Sequence, residues 1–216
     1  MITSLLSASD LSRTYGKFQA LAPINLDLHA GEVVALTGSN GAGKTTLLLC
    51  LSGLLRPTTG RISVEGFDLY LNEREAKSRL AFVPDVPRFY PELTAWEHLH
   101  FIALAHAAAQ GFDARAERLL HDFDLWEARD LYPQSYSRGM RLKLGLLMAL
   151  IRPFKVILLD EPTSALDPDS VSLVEQRITD LRASGAAVLL STHNPELALH
   201  LADRNIQLKH GHFEES

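Results

Sequence analysis

Gly38-Ser39-Asn40-Gly41-Ala42-Gly43-Lys44-Thr45 decides how this chain is read. The run Glu32–Leu36 before it is mostly apolar, bracketed by Gly31 and Gly38, and reads as a strand; Lys44–Ser52 after it reads as a helix stopped by Gly53. A glycine-rich turn between a strand and a helix is the setting of a phosphate-binding loop. Its glycines let the backbone wrap so that successive N–H groups face an anion, and the helix N-terminus adds positive potential. In such a loop Lys44 reaches the β- and γ-phosphates of a nucleotide, and the Thr45 hydroxyl ligates Mg²⁺.

Working outward, Ser4–Ala8 and Ile24–Leu28 read as short strands, followed by Arg61–Glu65 and Leu80–Val83. From Asp85 to Ile151 the pattern turns helical. Thr94-Ala95-Trp96-Glu97 is a capping box. Asp113 is placed to cap a second helix with Ala116, Leu119, Leu120 and Phe123 on its apolar face, and a third helix is expected from about Arg138 to Leu150. Strand patterns return at Lys155–Leu159, Ala186–Ser191 and Asn205–Lys209, with a helix over Pro168–Ala183 stopped by Gly185. The fold class is therefore α/β: a mostly parallel sheet at 1–84 and 152–216, with an inserted all-helical subdomain at 85–151.

Val156-Ile157-Leu158-Leu159-Asp160-Glu161 is the second chemical element. A continuous apolar run marks a strand buried on both faces, and ligands gather where such strands end. There Asp160 can hold Mg²⁺ through water, and Glu161 can accept a proton from an attacking water. The 216 residues carry a net charge of −5, so no nucleic-acid surface is expected. The single cysteine, Cys50, excludes an internal disulfide and reads as a small buried apolar residue. Met1–Leu11 has no Lys or Arg and no sustained apolar stretch, hence no signal-peptide pattern. The runs Leu144–Ile151 and Phe101–Ala109 are too short to span a bilayer, which takes about 20 residues.

Taken together, these segments resemble the ATPase subunits of ABC transporters over nearly the whole chain. The family signature Leu-Ser-Gly-Gly-Gln stands here as Tyr136-Ser137-Arg138-Gly139-Met140, keeping Ser137 and Gly139. The resemblance implies a P-loop NTPase core with an N-terminal antiparallel β part. It also implies an ATP held by Gly38 through Thr45 with Thr46, and Tyr15 stacked on adenine. Ser137 and Gly139 would meet the γ-phosphate of a second ABC ATPase subunit, the same chain or a close paralogue. Ser164-Ala165-Leu166-Asp167 matches the dimer-contact loop, with Asp167 equally suited to capping the helix that Pro168 begins. His193 matches a histidine that contacts the γ-phosphate. Asp85 stands where the family usually has Gln as a metal ligand, and its carboxylate can still bind the cation with shorter reach. The implied function is ATP hydrolysis at the cytoplasmic face of the membrane, driving transport, export by the look of Pro84–Thr94, through a separate permease subunit docked near Asp85–Leu93. A soluble ABC ATPase with an assembly role, such as iron–sulfur scaffolding, is the alternative.

Overall fold

The computed structural model describes residues 4–214, which divide into two compact units. The first runs to Phe82 and resumes at Phe154–Glu161 and from Glu175 onward; the second is Val83–Pro153 with Pro162–Val174. The helical unit contains Pro162–Val174 besides the span 85–151 expected from the sequence. Periodicity could not reveal this, because Pro168–Ala183 is one continuous helix whose residues belong partly to each unit.

In the first unit β1 (Ser4–Tyr15) and β2 (Phe18–His29) form an antiparallel hairpin. Each is longer than the short apolar runs suggest. The added length of β1 mixes polar Ser9, Asp10, Ser12 and Arg13 with buried Leu11, and that of β2 includes buried Ala20, Leu21 and Ala22. Both are held by cross-strand backbone bonding, with a register shift between Ala8 and Leu11 where Asp10 takes a positive φ of 50°. The Asp10 amide donates to Asn25 Oδ1 at 2.9 Å, giving the bulged backbone a partner. β3 (Val33–Thr37) leads into α1 (Lys44–Leu51). β4 (Thr59–Val64) and the two-residue β5 (Phe67–Asp68) complete a sheet ordered β2-β1-β4-β5. The short helix α2 (Glu73–Ser78) was not legible, being largely polar, and precedes β6 (Leu80–Val83).

The second unit holds α3 (Ala95–Ala105), α4 (Phe112–Asp122), α5 (Arg138–Leu150) and two 3₁₀ turns. Leu99, Ala103, Ala116, Leu120, Phe123 and Leu147 are buried. The capping box forms as expected: Thr94 Oγ1 accepts from the Glu97 amide at 3.2 Å, and Glu97 Oε2 accepts from the Thr94 amide at 2.8 Å. Asp113 does not cap α4. Gly111 occupies that position with a left-handed backbone, so the helix starts two residues earlier and Asp113 falls in its first turn, where a carboxylate suits the helix dipole. His98 is fully buried, accepting from the Tyr90 amide at Nε2 (2.9 Å) with Nδ1 2.7 Å from the Thr94 carbonyl. Those partners require the neutral ring with its proton on Nδ1.

The chain returns through β7 (Val156–Asp160), α6 (Pro168–Ala183), β8 (Ala187–Ser191), α7 (Pro195–Leu201), β9 (Arg204–Lys209) and β10 (His212–Phe213). The second sheet is ordered β10-β9-β3-β8-β7-β6, with β3/β8, β3/β9 and β7/β8 parallel and β9/β10 antiparallel. All of β7 and β8 is buried. The core of this unit joins Leu6, Leu11 and Ile62 of the antiparallel sheet, Leu47 and Leu51 of α1, and Val34, Leu158 and Leu189 of the parallel one. Cys50 lies in the same core, and burial pushes its thiol up to about 11. Among the described residues no helix is long and apolar enough to cross a membrane.

The capping box offers a direct test of local stability. Thr94→Ala removes the acceptor for the Glu97 amide and should cost about 1 kcal/mol. In a chain of this size that lowers the melting temperature by roughly 2–4 °C. Thermal unfolding of the two proteins measures it.

Candidate nucleotide and hydrolysis site

Three parallel strands of the first unit end in one row. Leu36 pairs with Ser191, and Ser191 pairs with Asp160. The residues that follow each strand therefore emerge at a single edge of the sheet: the glycine-rich loop after β3, Glu161 after β7, and His193 after β8. This edge is where an open parallel sheet binds ligands.

The loop after β3 is a glycine construction. Gly38, Gly41 and Gly43 have φ values of 147°, 79° and 111°. A Cβ on Gly38 would collide with the Leu208 carbonyl oxygen, and one on Gly43 would lie 2.8 Å from the Ala20 carbonyl oxygen. Ser39, Asn40 and Gly41 are exposed, whereas Ala42 is buried, and its amide closes the turn onto the Ser39 carbonyl at 3.1 Å. Lys44 is buried, 7% exposed, with Nζ donating to the carbonyls of Gly38 (2.6 Å) and Ser39 (3.4 Å). No side chain caps α1, and its first turn has no acidic residue. A buried ammonium partnered by carbonyls alone, beside uncapped helix amides, is an anion site of the kind that phosphates fill. Thr45, exposed, and Thr46, half-buried, stand in the first turn of the helix.

Asp160 is 3% exposed, and its Oδ1 accepts from Ser191 Oγ at 2.6 Å. The Glu161 amide donates to both Ser191 Oγ (3.0 Å) and the Ser191 carbonyl (3.2 Å). Glu161 itself takes a positive φ of 49°, a region that non-glycine residues seldom occupy and that clusters at functional sites. Its Oε2 accepts from His193 Nδ1 at 2.8 Å, so the imidazole orients the carboxylate. Ser191 thus serves both acidic residues. In the sequence Ser191 only ends a strand pattern, and its one signal is a hydroxyl at the end of an otherwise apolar run.

The donor set fits a hard divalent cation. Thr45 offers a hydroxyl and Asp160 a carboxylate with one oxygen not used by Ser191, and Mg²⁺ is commonly bound by so few protein groups together with phosphate and water. Among the described residues no group of three or more His, Cys, Asp or Glu could hold a metal by itself. Tyr15 ends β1 at the hairpin tip, 44% exposed, with the Arg13 guanidinium 4.5 Å from its ring centroid. One face of the ring is therefore taken by a cation.

The remaining expected residues belong to the helical unit. Ser137 caps α5, its Oγ accepting from the Met140 amide at 3.1 Å. Gly139 allows a close approach, since a Cβ there would lie 2.7 Å from the Ala165 carbonyl oxygen. Tyr136 is buried, donates its hydroxyl to the Ala128 carbonyl at 2.6 Å, and is pushed up to about 12 by burial. Asp167 accepts from the Ser170 amide (2.9 Å) and hydroxyl (2.8 Å), capping α6; the Ser170 amide is the main cause that holds its carboxyl below the usual range. Asp85 is already engaged: Arg138 Nη2 lies 3.0 Å from Oδ1 and 3.3 Å from Oδ2, and Ser164 Oγ donates to Oδ1 at 2.7 Å.

Residues 21–164 match the family model described as ABC transporter. An uncharacterized ABC transporter ATP-binding protein of Bacillus subtilis (strain 168), YdbJ, is 33% identical over 99% of this chain and 69% of its own length. A solved ATP-binding subunit of an ABC transporter superposes with a TM-score of 0.93 at 32% identity, over 98% of this chain and 89% of that one. A dimeric ATP-binding cassette in a post-hydrolysis state, bound to ADP and Pi, superposes with a TM-score of 0.88 at 26% identity over 97% of both chains. Nothing in these matches favours the soluble assembly role. With the fold and the strand-end chemistry described above, they establish that this chain belongs to the ABC transporter family, as an ATP-binding and ATP-hydrolysing subunit.

Proposed function

We propose that the chain binds Mg²⁺–ATP at the loop Gly38–Thr46 and hydrolyses it as one half of a two-protomer assembly that drives a separate membrane subunit. The observation that carries this reading is the row Leu36–Ser191–Asp160, which gathers the glycine loop, Glu161 and His193 at one sheet edge. Lys44 meets the β- and γ-phosphates in exchange for its two carbonyl partners. Thr45, and Asp160 through water, would hold Mg²⁺, which when bound would draw charge off the phosphate oxygens. Glu161 accepts the proton of the attacking water, with its carboxylate aimed by His193, which also faces the γ-phosphate. Tyr15 takes adenine on the ring face away from Arg13.

Ser137, Gly139 and Asp167 form the surface offered to the second protomer, the same chain or a close paralogue. A Ser hydroxyl and helix-start amides suit a phosphate presented from outside. The membrane subunit docks on the helical unit near Asp85–Leu93, where Val86 and Tyr90 are exposed, with Phe101 and Leu104 also exposed on α3 and the rings of Tyr90 and Phe101 5.6 Å apart. Exposed apolar side chains of this kind mark interaction surfaces. The chain then sits peripherally on the cytoplasmic face of the membrane, and export is the direction suggested by the likeness of Pro84–Thr94 to exporters.

Glu161→Gln should keep nucleotide binding, lower hydrolysis by about 10²–10⁴-fold, and leave an ATP-bound dimer on sizing chromatography. Turnover at the wild-type rate would remove Glu161 from the mechanism. Lys44→Ala should weaken the equilibrium binding of a fluorescent ATP analogue, and unchanged affinity would mean that the loop does not hold the phosphates. Detergent co-purification should recover a membrane subunit with the chain, and replacing Tyr90 and Phe101 by Ser should abolish that recovery while ATP binding persists.

A further inference from the structure

Two departures from the family pattern meet in one ion pair. Asp85 replaces the usual Gln, Arg138 replaces the first Gly of the signature, and the two are 3.0 Å apart within the helical unit. Ser164 closes the triangle, donating to Asp85 Oδ1 and accepting from Arg138 Nη2 at 3.3 Å. Three separate segments, the 85 loop, the first turn of α5 and the loop before α6, are therefore tied at one point.

Arg138 is an awkward residue where it stands. It is the first residue of α5, whose first turn has no acidic side chain and also contains Arg141, so positive charge accumulates at the positive end of the helix dipole. The Asp85 carboxylate supplies the missing anion. The tie is also one of close backbone approach. Gly139 lets α5 come down on Ala165, next to Ser164, and Gly145 lets it come down on Pro87, two residues beyond Asp85, where a Cβ would lie 2.6 Å from Pro87 Cγ. The 85 loop is thus held along α5 at two points about two turns apart.

We propose that Asp85 and Arg138 are a matched pair in which Asp85 is a positioning residue acting through Arg138. The pair fixes the start of α5, with Ser137 and Gly139, against the loop that carries Ser164 and Asp167. This rests on the reading of those three residues as the surface offered to a second protomer. It gives Asp85 a task other than ligating Mg²⁺, since its carboxylate is already shared between a guanidinium and a hydroxyl. Both side chains are partly exposed, 34% and 58%, and a pair so placed contributes little to folding. Its effect falls on the geometry of the shared surface, where small displacements are costly to rate.

The test is a double-mutant cycle on the full chain, with hydrolysis measured against ATP, Mg²⁺ and protein concentration. Asp85→Asn and Arg138→Gln should each lower kcat about ten-fold and raise the protein concentration needed for half-maximal activity. Neither should change the melting temperature, the affinity for a fluorescent ATP analogue or the Mg²⁺ concentration at half-maximal rate. The double variant should be no worse than either single one, and the exchanged pair Asp85→Arg with Arg138→Asp should recover part of the loss. Losses that multiply in the double variant would overturn the proposal. So would a raised Mg²⁺ requirement in Asp85→Asn alone, which would make Asp85 a metal ligand. Ser137→Ala separates the two levels: if it is impaired while the pair variants match wild type, only the pairing fails. If Ser137→Ala is itself as active as wild type, the two-protomer reading falls and takes the pairing with it.

Discussion

The buried hydroxyl of Ser191 holds the acidic end of the site together. It donates to Asp160 and accepts from the amide of Glu161, at 2.6 and 3.0 Å. The second bond ties the backbone at Glu161 in a left-handed conformation, which turns the chain sharply as it leaves β7 and gives two adjacent carboxylates different partners, Ser191 and His193. An extended strand would send their side chains to opposite faces of the sheet. Parallel pairing of β7, β8 and β3 is what brings Ser191 to this position, since it pairs with Asp160 on one side and Leu36 on the other. The glycine loop begins where that same row ends.

The loop depends on a second constraint of the same unit. It passes so close to β9 that Gly38 has no room for a Cβ beside Leu208, and Gly43 none beside Ala20 of β2. The loop backbone is thus held by packing against two other strands as well as by local sequence. Lys44 reaches back into the loop, and its bonds to Gly38 and Ser39 keep a buried charge satisfied.

In the helical unit the residues expected to meet a second protomer already have structural work. Ser137 caps α5 and Asp167 caps α6. The two uses are compatible, because the Ser137 oxygen accepts and leaves its hydroxyl proton for another partner, while each Asp167 oxygen, already accepting from Ser170, has a further lone pair. Such residues are therefore doubly constrained, and a change at either acts on both a helix terminus and the surface it presents.

Much of this was legible in the chain itself. The strand–loop–helix at Glu32–Ser52, the apolar run into Asp160 and Glu161, and the capping box at Thr94 are all set by neighbours within a few residues, so composition and period reveal them. The extensions of β1 and β2, the two-residue strands and the short helix α2 were not. The two-residue strands and α2 are too short to show a period, while the extensions are held by partners on the facing strand, such as the Asp10 amide on the Asn25 side chain 15 residues away. The same distance hid the duty of Ser191, 31 residues from Asp160, and the contact of Asp85 with Arg138, 53 residues away. Sequence determined the chemistry at each position, because a residue type carries its own charge, hydroxyl or missing side chain. Only the tertiary structure decided which of those groups share a proton or an ion pair, because strand register and helix packing set the distances over which such bonds form.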